Sequence, residues 1–141
     1  MAVQISVFLE NRPGKLAKIT GILKENQISI RAIKISSSGD FGVVKLLVDK
    51  PDLCYTALRS ANITAYKRDI IGIVLEDRPG GLYEIAAFLG ENGVNIEDSY
   101  GFVIGNKGKA ALIIETAEPD QLRALLDVNN IKYYDESFLY S

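Results

Sequence analysis

The chain of 141 residues contains no histidine, no tryptophan and a single cysteine, Cys54. With no His and one thiol, the composition excludes an intrachain disulfide, a paired-cysteine metal site and Cys–His or Ser–His catalytic sets. Cys54 lies in PDLCYTALRSA, a segment typical of a helix, so we expect its thiol to pack as a small apolar group. We therefore expect no metal and no cofactor.

The chain also lacks a basic charge excess and a long apolar run. Its formal net charge is -2, which provides no positive field for a nucleic acid backbone. No segment approaches the roughly 18 apolar residues of a membrane helix, and the first ten residues show no targeting pattern. A content of 48% hydrophobic and 24% charged residues is typical of a globular protein. We expect a cytoplasmic protein that binds neither nucleic acid nor membrane.

Two nearly identical segments lie 66 positions apart. ENRPGKL spans residues 10–16 and EDRPGGL spans residues 76–82, each directly after an apolar run. The same offset aligns Ile5 with Ile71, and the offset grows to 68 further along the chain. Such a fixed period indicates an internal duplication, with about two residues inserted in a loop of the second copy, around GNKGK.

Each copy begins with a strand that leads into a helix. VQISVFL alternates apolar and polar residues as a half-buried strand does, and PGKLAKITGILKEN carries an apolar helical stripe from Leu16 to Leu23. Pro13 suits the first helical turn because it has no N–H group to leave unpaired there. The helices are predicted to end at ENQ and ENG, where Gly93 suits a left-handed cap.

A hairpin, a second helix and a last strand complete each copy. The hairpins join ISIRAIKISS to FGVVKLLVD through the turn SGD, and VNIEDSYGFVIG to KAALIIETA through the turn NKG. The second helices are PDLCYTALRSA, with Leu53, Ala57 and Leu58 as its buried stripe, and PDQLRALLDVN. The last strands are ITAYKR and IKYYDESFLY, with only RD joining the two copies.

The order βαββαβ, twice, predicts an α+β fold of two ferredoxin-like units, residues 1–68 and 69–141, each with an antiparallel sheet and both helices on one face. Pairing of the free edge strands of the two units into an eight-stranded pseudo-dimer would enlarge the core and hide sheet edges, so we expect this pairing. We expect the sheet face opposite the helices to be open. The apolar phase shifts between Ile30 and Ile33. This shift indicates a bulge or a strand covered on both faces, to which a second chain could add as a homodimer.

The repeated loop is either a simple strand-to-helix turn or a binding site. For the second interpretation, N–H groups at the helix start can hold a carboxylate, and the side chain of Asn11 or Asp77 can accept hydrogen bonds from an ammonium. Together these groups match an α-amino acid. The candidate residues are Asn11, Pro13, Gly14, Lys15 and Leu16 in the first copy and Asp77, Gly80, Gly81 and Leu82 in the second.

Two βαββαβ units with ENRPG and EDRPG after the first strand, and NGVNI entering the second, resemble tandem ACT domains over essentially the whole chain. The resemblance implies a non-catalytic regulatory module that binds an amino acid between paired domains. In the similar regulatory domain of phosphoglycerate dehydrogenase, the Asn of the loop and the Asn of a GVN segment contact the ligand. These positions correspond to Asn11 and Asn95, whereas Leu9 and Leu75 replace a His of that pattern.

The two copies predict unequal sites. Asn11 would pair with Asn95, and Asp77 would pair with Ser29, which aligns with Asn95. Asp77 adds a negative charge near the ligand carboxylate, so we expect the Asn11 site to bind more tightly or the two sites to prefer different ligands. The segment 98–100 that follows Asn95 either contacts the ligand side chain or forms an ordinary polar strand face.

A sensor without an output domain must act through a partner, such as an amino-acid biosynthetic enzyme in the manner of the acetolactate synthase small subunit. The alternative is an acylphosphatase-like enzyme of the same topology, with Arg12 or Arg78 holding the phosphate. An RNA-binding module would require aromatic residues on the middle strands and a basic surface, which the sequence hardly supplies.

Overall fold

The computed structural model describes residues 1–105 and 107–141. The chain forms two compact units, and each unit also includes a few residues from the far end of the chain. The first unit contains residues 3–68 and 136–141, and the second contains residues 1–2 and 69–135.

The first unit contains four strands and three helices. Its elements, in chain order, are β1 (Ala2–Glu10), α1 (Lys15–Glu25), β2 (Ile30–Ser38), β3 (Phe41–Val48), α2 (Pro51–Ser60) and the start of β4 (Thr64–Glu76). The strand order is β2-β3-β1-β4, with β3 antiparallel to both β1 and β2. This arrangement confirms the predicted βαββαβ unit. The third helix comes from the end of the chain.

The second unit repeats this topology. After the second part of β4 come α3 (Gly81–Glu91), β5 (Asp98–Ile104), β6 (Lys109–Glu115), α4 (Pro119–Val128) and β7 (Tyr133–Tyr134). The strand order is β7-β4-β6-β5 with antiparallel pairs throughout. The two units divide between Arg68 and Asp69, but the predicted break between strands is wrong there, because both residues lie inside the continuous strand β4.

Each unit has its own apolar core between helices and sheet. In the first unit, Ile19 and Leu23 of α1 and Cys54 and Leu58 of α2 pack with the strands. The predicted packing of Cys54 is confirmed: its side chain is fully buried, and burial raises the pKa of its thiol to about 12. The second core joins Leu89 of α3 and two leucines of α4 to strand residues of β4 and β6.

The predicted stripe of α2 is confirmed at Leu58 and wrong at Leu53. Leu53 is exposed, while Cys54 and Leu58 are the buried residues of this helix. Positions 54 and 58 are four apart and therefore share a face. Because the helix turns this face to the sheet, Leu53 lies at its margin.

The predicted position of Pro13 in the first turn of α1 is also wrong. The helix begins at Lys15, after Gly14 at φ 89°. The second copy repeats this geometry, with Gly80 at φ 89° before α3. The residue before each of these helices adopts a left-handed conformation, which favours glycine. The proline comes one residue before this glycine and therefore lies outside the helix in each loop. The predicted left-handed cap at Gly93 is confirmed, with φ 70°.

The C-terminal segment differs most from the prediction. Instead of one long strand, it forms β7, only two residues long, and then α5 (Glu136–Tyr140). Leu139 is buried, α5 packs against β3, and the hydroxyl of Tyr140 accepts a hydrogen bond from the N–H of Val3 at 2.8 Å. Alternation of apolar and polar residues over so few positions does not distinguish a strand from a helical turn.

The sheet face opposite the helices is not open in the first unit. Gln4, Ser6 and Leu47 are buried, and strand alternation directs them away from the helix-facing core. The Nε2 group of Gln4 donates a hydrogen bond to the hydroxyl of Ser6 at 3.4 Å. The prediction of an open face is therefore wrong around Gln4 and Ser6, whereas Phe8 and Phe41 of the same face are exposed.

The hairpins agree with the sequence. The pairing of β2 with β3 shifts register between Ile30 and Ala32, which confirms the predicted bulge. The turn of the second hairpin includes Asn106, which lies outside the described residues. Among the helices of residues 1–105 and 107–141, none is long and apolar enough to span a membrane.

Candidate functional site

In the first unit, the loop between β1 and α1 is attached to the turn between β2 and β3. The N–H of Asn11 donates to the carbonyl of Asp40 at 2.8 Å, and its side-chain Nδ2 donates to the carbonyl of Gly39 at 3.2 Å. The exposed Asn11 has no further hydrogen-bond partner among the described residues. Its Oδ1 is therefore available as an acceptor for a ligand ammonium.

The corresponding loop of the second unit has the same backbone but different charges. The N–H of Asp77 donates to the carbonyl of Gly108 at 2.8 Å, but its carboxylate cannot donate as an amide does. Lys109 hydrogen-bonds the exposed carboxylate of Glu76 and thereby lowers its pKa. Arg78 forms an ion pair with Glu84 at 2.8 Å. Charged side chains therefore surround this loop.

The backbone donors are fewer than predicted. The N–H of Lys15 donates to the carbonyl of Arg12 at 3.3 Å, and the N–H of Gly81 donates to the carbonyl of Arg78 at 3.0 Å. These two groups are therefore engaged in the turn, which corrects the expectation that the N–H groups of Lys15 and Gly81 can hold a carboxylate. The first helical N–H to bond within α1 is that of Lys18, to Gly14 at 3.0 Å.

The equivalent glycines Gly14 and Gly80 both have space for a Cβ, whereas Gly81, which aligns with Lys15, has none. A Cβ on Gly14 would meet nothing within 4 Å, whereas a Cβ on Gly81 would lie 2.1 Å from the carbonyl oxygen of Glu76. The start of α3 is thus packed directly on the end of β4. Gly81 is buried, whereas Leu16 and Leu82 are exposed.

Asn95 and Ser29 lie at the entry to the second strand of their units. In the second unit, the carbonyl of Asn95 accepts a hydrogen bond from the hydroxyl of Thr116 at 3.0 Å, and its side chain is exposed. In the first unit, Ser29 exchanges hydrogen bonds with Asp49, whose Oδ1 accepts from the Ser29 N–H at 2.9 Å.

Within one unit, the loop and the strand-entry residue lie at opposite ends of the sheet. Glu76 pairs with Lys109 at the start of β6, whereas Asp98, just after Asn95, pairs with Glu115 at its end. Six residues of strand separate these ends, about 20 Å. One unit therefore cannot bring its own loop residue and its own strand-entry residue to one small ligand.

The residues after Asn95 are engaged in the strand. The hydroxyl of Ser99 donates to the carbonyl of Ile113 at 2.9 Å. Burial of Tyr100, together with the nearby carboxylates of Glu115 and Asp98, raises the pKa of its phenol. These contacts support the interpretation of the segment as a packed strand, and its contact with a ligand stays a prediction.

Each unit contains a cleft beside a candidate residue. Asn95, Asn92 and Thr116 line a cleft of about 430 Å³ in the second unit. Lys15 and Lys18 line a cleft of about 330 Å³ in the first. Lys18 was not among the predicted residues, although alignment with Glu84 would have shown a reversal of charge. In residues 1–105 and 107–141, no group of three or more His, Cys, Asp or Glu side chains is placed to hold a metal.

The model of one family, described as the ACT domain pair, matches residues 1–141. The chain belongs to this family. ACT domain pairs are typical ligand-binding regulatory modules. This result confirms the family resemblance and the α+β fold of two ACT units predicted from the repeated loop.

Solved structures agree with this family membership. The ACT domain pair is 32% identical to protein BT0572 from Bacteroides thetaiotaomicron, with a TM-score of 0.92 over 99% of this chain and 96% of that one. The ligand-free regulatory subunit of aspartate kinase from Thermus thermophilus is 23% identical, with a TM-score of 0.61 over 89% and 91% of the two chains. The second likeness shows the fold alone. A search of curated proteins gave no match.

Proposed function

We propose that this ACT domain pair is a non-catalytic sensor of a free amino acid. The observation that carries the proposal is the fixed Asn11 amide, whose Nδ2 is held by Gly39 so that Oδ1 remains available to accept hydrogen bonds. An oxygen acceptor beside the positive end of a helix suits a ligand with both an ammonium and a carboxylate.

The ligand would bind to Asn11 of one ACT domain and Asn95 of another. Support comes from the opposite positions of these two kinds of residue within a unit, which leave neither unit able to supply both groups. Asp77 and Ser29 would form the weaker second combination, because Asp77 repels the carboxylate and Ser29 is engaged by Asp49.

The carboxylate would bind near the N–H groups of Gly14 and Leu16, beside Lys15. In the second loop, the equivalent groups belong to Gly80 and Leu82, and Gly81 provides no charge. Pro13 sets the entry into the first loop by fixing its own φ. A cationic Lys15 favours the carboxylate in the first loop, which supports tighter binding there than at the second loop.

Binding would be transmitted to a separate protein, because an ACT domain pair is a regulatory module. One solved structure with this fold is the regulatory subunit of aspartate kinase from Thermus thermophilus. We propose that the partner of this chain is an amino-acid biosynthetic enzyme in the cytoplasm. A ligand changes the partner's activity only through different affinities for two states.

The acylphosphatase-like alternative has less support. Arg12 forms an ion pair with Glu10 at 3.0 Å, and Arg78 forms one with Glu84 at 2.8 Å. Each guanidinium that would hold a phosphate is therefore already beside a carboxylate. Hydrolysis of acetyl phosphate, lost in Arg12→Gln, would favour the enzyme over the sensor.

A thermal-unfolding screen tests the sensor proposal. Each of the common amino acids is added at a large excess, and a ligand that binds only the folded state raises Tm by mass action. We expect one amino acid, or a few related ones, to raise Tm. Asn11→Ala should reduce this rise without lowering the Tm of the ligand-free protein by more than a few degrees. No rise with any amino acid would contradict the proposal.

A further inference from the structure

A cleft of about 430 Å³ in the second unit lies between the end of α3 and the start of α4. Gly93 and Val94, which follow α3, line one side, and Glu118, which precedes α4, lines the other. Leu125 of α4 contributes apolar surface. The volume falls within the range of small-molecule sites, and we call this space the Glu118 cleft.

The first unit shows that an ammonium group can close the corresponding turn. There the Nζ of Lys50 donates a hydrogen bond to the carbonyl of Gln27 at 2.6 Å. Gln27 follows α1 with φ 56°, and its equivalent Gly93 has φ 70°. The N–H of each residue donates to the carbonyl three residues earlier, in both cases at 3.1 Å. The carbonyls of Gln27 and Gly93 therefore have corresponding positions, and each lies at the negative end of a helix dipole.

In the second unit, Glu118 replaces Lys50. Each residue directly precedes a helix that begins with proline, and their backbone angles are nearly equal, φ -134° and ψ 72° for Lys50 against φ -129° and ψ 71° for Glu118. The two side chains therefore start from the same point of the turn, but a carboxylate cannot donate to a carbonyl. Among residues 1–105 and 107–141, the carbonyl of Gly93 accepts no hydrogen bond, and the exposed side chain of Glu118 forms no ion pair.

The surroundings of these two oxygen groups also favour a cation. The Nδ2 of Asn92, which lines the cleft, donates to the carbonyl of Phe88 at 2.9 Å, so its Oδ1 remains as a further acceptor. In the part of the chain that the structure describes, no Lys or Arg lines the cleft. Residues 69–135 contain 12 Asp or Glu and 5 Lys or Arg residues, a side-chain charge of -7. The field of this unit therefore attracts cations.

We infer that the Glu118 cleft binds a small aliphatic primary amine in its protonated form. The ammonium would donate to the Gly93 carbonyl and pair with the Glu118 carboxylate, in the position that the Lys50 ammonium has in the first unit. The aliphatic body would pack on Val94 and Leu125. A sodium or potassium ion would satisfy the oxygen atoms but leave these apolar side chains exposed to water, so the chemistry favours an organic cation.

This inference is independent of the amino-acid site. It requires no carboxylate on the ligand and no Asn11, and one unit supplies every group. Asn95 also lines the cleft, so the residue that distinguishes the two proposals is Glu118, which the amino-acid site does not use. Failure of one proposal leaves the other intact.

Titration of the full chain with n-butylammonium chloride at fixed ionic strength tests the inference, because this cation matches the stem and head group of a lysine side chain. Binding is measured by the NMR shifts of the backbone amides of Gly93 and Val94. We expect saturable shifts with Kd below about 10 mM. Glu118→Gln keeps the shape of the side chain and removes its charge, so it should raise Kd by about fivefold or more.

A second variant reproduces the arrangement of the first unit. In Glu118→Lys, the new ammonium should donate to the Gly93 carbonyl as Lys50 donates to Gln27, and saturable binding of n-butylammonium should disappear. Because Glu118 is exposed, both variants should fold, which their Tm and circular dichroism spectra would verify.

The controls separate a built site from general attraction of cations. Glu84→Gln removes a carboxylate from the start of α3, at the other end of the helix from Gly93, and should not change Kd. Neutral n-butanol should bind much more weakly. Absence of saturable shifts, an unchanged Kd in either Glu118 variant, or equal weakening in Glu84→Gln would each overturn the inference. So would n-butanol or potassium chloride producing the same shifts at the same concentration.

Discussion

The side-chain Nδ2 of Asn11 donates a hydrogen bond to the carbonyl oxygen of Gly39, 3.2 Å away. This bond joins the loop after β1 to the hairpin turn of the same unit and fixes which face of the amide remains available. The corresponding residue of the second unit, Asp77, has no N–H in its side chain to repeat it. The two loops therefore have the same backbone course and different side-chain chemistry.

Exchange of these two side chains should exchange the affinities of the loops. Asn11→Asp loses the bond to Gly39 and brings a charge near the ligand carboxylate, so we expect amino-acid affinity to fall by roughly tenfold or more. Asp77→Asn should strengthen the weaker site. Calorimetric titration measures both. Unchanged affinity in Asn11→Asp would show that its amide does not contact the ligand.

Gly81 should tolerate no side chain. In Gly81→Ala the new Cβ would lie 2.1 Å from the carbonyl oxygen of Glu76, so either α3 or β4 must shift. We expect a loss of unfolding free energy of roughly 2 to 3 kcal/mol. The matched control is Gly21→Ala in α1, where a Cβ meets nothing within 4 Å, and which should stabilise by about 0.5 to 1 kcal/mol.

Urea denaturation measures both glycine variants. If Gly81→Ala were as stable as the wild type, the close packing of α3 on the end of β4 would be contradicted. A parallel loss in Gly21→Ala would instead indicate that α1 is packed at a position where the structure shows open space.

The buried thiol of Cys54 should make folding sensitive to alkaline pH. Its pKa is raised from 9.0 to about 12 by burial, so the folded state holds the proton more tightly than the unfolded state. The stabilisation is fully present below the unfolded pKa of 9.0 and is lost as pH rises through the interval up to the folded value.

We expect the urea midpoint of the wild type to fall between about pH 8 and about pH 11, and Cys54→Ala to show a smaller fall. Burial also raises the pKa of Tyr100, so the comparison with Cys54→Ala isolates the thiol. Identical pH dependence in the two proteins would refute a buried, protonated Cys54. The native thiol should also react slowly with iodoacetamide.

The C-terminal helix should contribute to the stability of the first unit. Leu139 of α5 is 3% exposed, and Leu139→Ala should destabilise by about 2 to 4 kcal/mol through lost burial and a residual cavity. Val128→Ala, at a side chain that is 81% exposed, is the matched control and should change stability by less than about 0.5 kcal/mol. A neutral Leu139→Ala would mean that α5 does not pack as described.

The duplicated topology could be predicted because both copies show the same order of strand and helix patterns. The repeated segments ENRPGKL and EDRPGGL indicated the loops, and the apolar phase shift after Ile30 indicated the bulge. The start of α1 was misplaced because it depends on the left-handed φ of Gly14, which the letters RPG alone do not determine.

The remaining errors come from tertiary packing. In the sequence, Leu53 and Cys54 are equally suitable for the buried face of α2. Only the orientation of the helix on the sheet determines which of the two is buried. Leu139 is buried by a unit from which it is distant in sequence, so no local pattern near it could predict a helix there. At the site, the hydrogen bond between Asn11 and Gly39 joins residues that are 28 positions apart, so it could not be predicted from the local sequence.

The most direct test of the central claim is calorimetric titration of extensively dialysed protein with each amino acid, followed by Asn11→Ala, Asn95→Ala and the control Asn129→Ala. The account predicts that at least one amino acid binds, that each of the first two substitutions weakens binding by about 1 to 3 kcal/mol, and that Asn129→Ala has no effect. Binding of no amino acid, or binding indifferent to both Asn11 and Asn95, would contradict it.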